Sequence, residues 1–189
     1  MDDYEAIKIY SINPDEGIDL IISKYKTTLY SFCIHLSRDR QAADDLFQDT
    51  WVKVFSNIDK FDTSKSFENW LFAIAINTYR DRYRKAKRWL NRIVDFTDTE
   101  AKYEIFNNVT SSYGEPEEAV LRQESRTALK KAINNLNDKY KIPLLLYYFK
   151  SFSYKQIAEI LNIPEGTVKS RINTAKLQLK VFMEENGHG

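Results

Sequence analysis

Two sets of side chains in this sequence have the types and spacing to hold nucleic acid, and no set has the makings of covalent chemistry. The first is Thr167, Lys169, Ser170, Arg171 and Asn173, within SYKQIAEILNIPEGTVKSRINTAKLQLK at residues 153–180. Polar and basic residues near the start of a helix suit entry into the major groove, where they can meet base edges and phosphates. The second set is Trp70, Ala73, Asn77, Arg80, Asp81 and Arg84, which recur at three- and four-residue intervals and so share one helix face. An aromatic ring beside amides and guanidiniums suits single-stranded nucleic acid, because bases stack on the ring while cations hold phosphates. Each set has a plainer reading: the first is an ordinary αα-hairpin, the second a core tryptophan beside a solvated basic face.

The elements that would position these side chains follow from apolar spacing. Ile157, Leu161, Val168 and Ile172 fall where two short helices bury against each other, and Ala158 is small where they would cross. Asn162 stands at the bend, where a positive φ is often needed and Asn is tolerated next after Gly. Pro164 has the fixed φ of a helix start. The Trp70 stripe requires a long helix over residues 66–88, packed through Leu71, Ile74, Ala75 and Thr78. Upstream, Leu20, Ile21, Tyr25, Leu29, Phe32 and Cys33 predict a helix over 18–36. Ala43, Leu46, Phe47, Val54 and Phe55 predict another over 40–58, capped by Asp39. Residues 97–116 lack a period and contain Asn107, Asn108, Ser111, Ser112, Gly114 and Pro116, which marks a linker. Helices over 117–135 and 138–150 follow, although Pro143 predicts a helix that starts near it rather than running through it. The expectation is an all-α chain of two small helical domains, 1–94 and 119–189, joined by a flexible acidic linker over 95–118.

Charge and composition narrow the function classes. Twenty-eight basic and 27 acidic residues give a net charge of only +1, unusual for a nucleic-acid protein. The distribution matters more than the sum. Residues 80–92, RDRYRKAKRWLNR, are strongly basic, and residues 98–124 strongly acidic, so one stripe attracts phosphate and one segment avoids it. One cysteine, Cys33, forbids an intramolecular disulfide, and with His35 and His188 as the only histidines no familiar zinc set can be assembled. Cys33 reads as a small buried apolar residue. The first residues lack a leader pattern and no apolar run approaches a membrane span, so a cytoplasmic protein is expected. Asp45, Gln48 and Asp49 share a helix face that would repel phosphate; it is either plain surface or a docking patch for a basic partner helix. No histidine, lysine base or third ligand stands near them to build a catalytic or metal site.

Together these parts resemble a known family. ADDLFQDTWVKVFSNIDKFD followed by SFENWLFAIAINTYRDRYRK resembles region 2 of bacterial RNA polymerase sigma-70 sigma factors. NDKYKIPLLLYYFKSFSYKQIAEILNIPEGTVKSRINTAKLQL resembles their region 4. A short chain with only these two regions is similar to the extracytoplasmic-function (ECF, group 4) type. The resemblance implies a factor that binds core RNA polymerase, through the β′ clamp helices and the β flap, and directs it to promoters through their −10 and −35 elements. It implies polymerase contacts at Asp45, Leu46, Gln48 and Asp49. It implies capture of a flipped −10 base by the loop carrying Phe61, Ser64, Lys65 and Phe67, and further −10 contacts from Trp70, Asn77, Arg80 and Arg84. Thr167, Lys169, Ser170, Arg171, Asn173 and Thr174 would read the −35 duplex. Many relatives carry Arg at the position of Thr174 and Ser at that of Pro164, so no −35 sequence transfers from them. No cofactor is implied, and an anti-sigma factor, commonly membrane-anchored, is. Two other classes fit parts of the chain: a helix-turn-helix regulator that binds an operator unaided, and a helical enzyme. The first leaves the Trp70–Arg84 stripe and the acidic patch unused. The second lacks a nucleophile–base pair, phosphate loop or metal set.

Overall fold

The computed structural model describes residues 2–37, 39–94 and 118–185. All regular structure among these residues is helical, and the chain divides between Thr110 and Ser111 into two compact units. The predicted linker over 95–118 lies almost wholly outside the described residues.

The first unit contains α1 (Asp3–Ile12), α2 (Pro14–Leu36), α3 (Arg40–Phe55), a 3-10 turn (Ile58–Lys60) and α4 (Phe67–Val94). Helix α1 was not anticipated. It starts with a reciprocal capping box between Asp2 and Glu5, which satisfies N–H groups that a helix start leaves orphaned. Its backbone crosses α2 so closely that a Cβ on Gly17 would lie 2.3 Å from Tyr10 Cα. Asp3 fastens the crossing: its carboxylate accepts from Lys24 Nζ at 2.6 Å and from the Tyr25 hydroxyl at 2.7–2.8 Å.

Helix α2 opens with Pro14 in its first turn, and Asp39 caps α3 by accepting from Ala42 N at 2.8 Å. The anticipated face of α4 is buried at Leu71, Ala75 and Thr78, with Ile74 half-buried. Phe72 and Ile76 are buried as well, so α4 presents a broader apolar sector than the sequence spacing indicated. Phe72 meets Phe32 of α2 edge-on, with centroids 5.0 Å apart. Full burial of each such side chain contributes about 1.5–3 kcal/mol.

The second unit contains α5 (Glu118–Asn135), α6 (Asp138–Lys150), α7 (Tyr154–Leu161) and α8 (Glu165–Glu185). Pro143 corrects the sequence expectation: α6 starts at Asp138, capped by Asn137, and runs through the proline to Lys150. The ring forfeits one backbone hydrogen bond in the second turn, but Ile142, Pro143, Leu144, Leu145 and Leu146 are all buried, and that burial offsets the loss. Helix α6 then ends in a left-handed residue, Ser151, with φ 53°.

Candidate nucleic-acid and docking sites

The helix-turn-helix is built as its spacing indicates. Ser153 caps α7 by accepting from Gln156 N at 3.2 Å, while Gln156 Oε1 accepts from Ser153 N at 2.9 Å. Asn162 takes the left-handed conformation, φ 52° and ψ 53°, which turns the chain after α7. Pro164 stands just before α8, its carbonyl accepting from Thr167 N and Val168 N. Ile157 and Leu161 of α7 and Val168, Ile172 and Ala175 of α8 are buried. That burial fixes which side of α8 faces outward.

Lys169, Ser170 and Asn173 are exposed, and Thr167, Arg171 and Thr174 half-buried. At about 100° per residue, Ser170 and Asn173 lie opposite the buried stripe, with Lys169 and Arg171 on opposite flanks. The Thr174 hydroxyl donates to Ser170 O at 3.0 Å, which commits its proton to the helix. Beyond Asn173 the outward face turns apolar, with Leu177 and Val181 exposed.

Beside this face sits a cluster the sequence reading missed. Tyr147 stacks on Tyr154 at 5.2 Å and meets Tyr148 at 5.0 Å, and Lys176 Nζ lies 5.4 Å from the Tyr148 ring centroid. A hydrogen bond with the Tyr148 side chain raises the Lys176 ammonium above its ordinary pKa. Its members come from the end of α6, the start of α7 and the middle of α8, so no local pattern announces it.

In the first unit, Trp70 and Asn77 do converge. With Lys53, Asn57, Lys60, Ile74 and Thr78 they line a cavity of about 270 Å³. Two of those residues, Lys53 and Lys60, are cations that the sequence reading did not assign. Trp70 is half-buried rather than fully displayed: its ring lies 4.9 Å from Phe61 and 5.6 Å from Phe67. Phe67 is only 2% exposed and packs on Tyr25 at 5.6 Å. It belongs to the core of the free chain, beneath the surface that Phe61 and Trp70 present.

The loop that carries Ser64 and Lys65 is exposed and self-bonded. Asp62 accepts from Ser64 Oγ at 2.7 Å and from Ser64 N at 3.1 Å, and Lys65 Nζ is 3.7 Å away. The Ser64 hydrogen bonds, with Lys65, hold the Asp62 carboxyl below its usual range. On α4, Arg84 pairs with Asp81 at 2.7 Å and Lys53 reaches the same carboxylate at 3.4 Å. Desolvation pushes Asp81 up, but the Lys53 and Arg84 contacts outweigh it and its pKa is lowered. Arg80 is half-buried and engaged within the protein.

The acidic face is more than a patch. Arg82 donates through Nη2 to Asp45 and through Nη1 to Asp49, each at 2.6 Å. Asp45, Gln48 and Asp49 of α3 and Tyr79, Arg82 and Tyr83 of α4 border a groove of about 710 Å³. Leu46 is 1% exposed and forms part of the floor. Asn77 and Tyr79 are two residues apart, about 200° around the helix, so α4 serves the cavity and the groove from different sides. Among the described residues no His, Cys, Asp and Glu side chains group to hold a metal ion, and no helix is long and apolar enough to cross a membrane.

Comparison with known proteins matches both blocks. Residues 21–89 match Sigma-70 region 2 and residues 126–179 match Sigma-70, region 4. The chain is 33% identical over 160 residues to the ECF RNA polymerase sigma factor SigW of Bacillus subtilis strain 168, covering 85% of each protein. It is 32% identical over 165 residues to SigM of the same organism, covering 87% of this chain and 94% of that one. Among solved structures, the sigma factor RpoE of Bartonella quintana, crystallised with the anti-sigma factor NepR, superposes with a TM-score of 0.67 at 26% identity. That match covers 88% of this chain and 96% of that one. CnrH, solved with the cytosolic domain of CnrY, has the same fold at a TM-score of 0.68 and 18% identity, covering 97% of each chain.

Proposed function

Because the chain belongs to the extracytoplasmic-function sigma factors of the sigma-70 family, we propose that its surfaces divide the work of promoter recognition as follows. The groove bordered by Asp45, Gln48 and Asp49 docks a basic helix pair of core RNA polymerase, the β′ clamp helices. The cavity at Trp70 and Asn77, with Lys53 and Lys60 at its edge and the Phe61–Ser64–Lys65 loop beside it, holds the opened −10 strand. Arg80 and Arg84 meet its phosphates. On α8, Ser170 and Asn173 face base edges of the −35 duplex, while Lys169 and Arg171, on opposite flanks, meet phosphates. Thr167 and Thr174 border that face. Residues 1–94 and 119–189 are the two working domains, and 95–118 connects them.

One observation carries this reading: a single helix, α4, lines an acid-bordered groove on one side and a cavity of aromatic, amide and lysine side chains on another. A regulator that binds an operator unaided has use for neither. The physics then asks little of any one site. Unstacking a duplex costs a few kcal/mol, which base stacking on a prearranged ring offsets by about 1–3 kcal/mol. Two weak readers gain specificity only when held at the right separation on the polymerase, so the free chain binds promoter DNA poorly. RNA synthesis belongs to the polymerase, and the chain itself contributes no catalytic group. Its work lies in the cytoplasm, and an anti-sigma factor that covers these faces is its regulatory partner, with the β flap as a second polymerase contact.

Run-off transcription with purified core polymerase, with and without the chain, tests the proposal. Promoter-specific transcripts that depend on the chain support it. Tight sequence-specific duplex binding without polymerase, and no rescue of initiation, would sink it.

A further inference from the structure

Among the described residues Gly166 has no contact that accounts for a glycine. Among the described residues a Cβ built on it meets nothing within 4 Å, and its φ lies outside the positive range that would require glycine. It is exposed, and it occupies the first turn of α8. Glycine loses more conformational freedom on folding than alanine, a cost that reaches about 1 kcal/mol in a helix interior and is smaller in a first turn. Neither packing nor backbone conformation requires glycine there, which points to a constraint from outside the chain.

Its position says where. Gly166, Ser170 and Asn173 are spaced i, i+4, i+7 and form one outward row, opposite the buried Val168, Ile172 and Ala175. A helical side chain leans toward the N-terminus, so a residue at 166 would stand between the helix start and whatever Ser170 and Asn173 touch. We infer that the missing side chain at Gly166 lets duplex DNA close against the first turn of α8, setting how deeply the helix sits in the groove. The inference rests on the −35 reading of α8. Gly166 is then a positioning residue: it touches no base itself, but fixes the distance over which Ser170 and Asn173 can make hydrogen bonds that fail beyond about 3.5 Å.

The test is a size series in the holoenzyme. The probe is a promoter duplex that the wild-type holoenzyme selects from a library randomised at the −35 element. Alanine and leucine have similar, high helix propensity, so Gly166→Ala and Gly166→Leu differ mainly in bulk. Affinity for the selected duplex is expected to fall roughly fivefold or more with alanine and further with leucine, while the melting temperature of the free chain stays level or rises. A loss of DNA binding in a protein that is no less stable is the signature of a steric role outside the fold.

Asn173→Ala and Arg171→Ala, measured alongside, separate the possible failures. If they weaken binding and both Gly166 variants do not, the close-approach inference is wrong and the −35 reading stands. If none of the four weakens binding, the −35 reading of α8 itself is wrong. A fall in melting temperature with Gly166→Ala would show that glycine serves the fold, and would overturn the inference.

Discussion

Arg82 of α4 and Asp49 of α3, 33 residues apart in sequence, meet through an Nη1–Oδ2 hydrogen bond of 2.6 Å. The acidic face is therefore held in place by a cation at its own border. Both side chains remain partly exposed, 36% and 52%, so the pair itself adds at most about 1 kcal/mol to stability. Asp49→Lys should leave the fold nearly as stable but set two cations against each other at the groove. Affinity for core polymerase is expected to drop roughly tenfold or more in a fluorescence titration, with α8 and its DNA contacts unaffected.

Trp70 and Lys60 should act after polymerase binding. Lys60→Ala is expected to reduce open-complex formation on a promoter without changing the affinity for core polymerase. Trp70→Ala should cost more, about 1–3 kcal/mol for a lost base stack, and Trp70→Phe should recover much of it. Because Trp70 also packs on Phe61 and Phe67, the phenylalanine variant is the cleaner comparison. Equal loss in polymerase affinity and in opening would remove the cavity from the −10 role.

On α8 the central and flanking residues should separate by salt dependence. Asn173→Ala is expected to cost about 1–3 kcal/mol and to relax base preference at one position. Lys169→Ala and Arg171→Ala should weaken holoenzyme binding across sequences alike and lower the slope of log affinity against log salt by about 1 each. Holoenzyme titrations at several salt concentrations distinguish the two patterns.

Cys33 is fully buried, and burial pushes its thiol up to about 12. At neutral pH the reactive thiolate is absent and no reagent reaches it. Iodoacetamide should leave the native chain unmodified and label it in full once denatured. Rapid labelling under native conditions would contradict the core placement of α2.

Asp81 offers a pH test with a definite sign. Lys53 and Arg84 hold its pKa below the ordinary value of about 3.9, so its stabilising contribution is present above that value. It is lost as pH falls through the lower, folded value. Asp81→Asn should therefore lower the melting temperature modestly at neutral pH and flatten part of its decline at the acid end, where variant and wild type converge. An unchanged acid profile would place that titration elsewhere.

How legible these features were depended on sequence distance. The helix-turn-helix was readable because Ile157, Leu161, Val168 and Ile172 repeat within two adjacent helices, and Asn162 carries its own backbone signal. Trp70 and Asn77 were readable together because one helix holds both. Arg82 was not, since it stands in a basic run and only the packing of α3 against α4 brings it to Asp45 and Asp49. Lys53 and Lys60 were hidden in the same way. The motifs that carry Leu46 and Phe67 did not reveal that both side chains are buried in the free chain. Pro143 misled because local backbone preference was outweighed by burial of the surrounding residues.

The aromatic core of the first unit has a practical consequence. Trp51, stacked on Phe55 at 5.6 Å, and Trp70, beside Phe61, belong to the unit that ends at Thr110, as does Trp89; the second unit holds no tryptophan. The chain is thus optically lopsided. Indole emission therefore originates in the first unit alone. In the second unit the cluster of Tyr147, Tyr148 and Tyr154 offers native tyrosine chromophores beside α8.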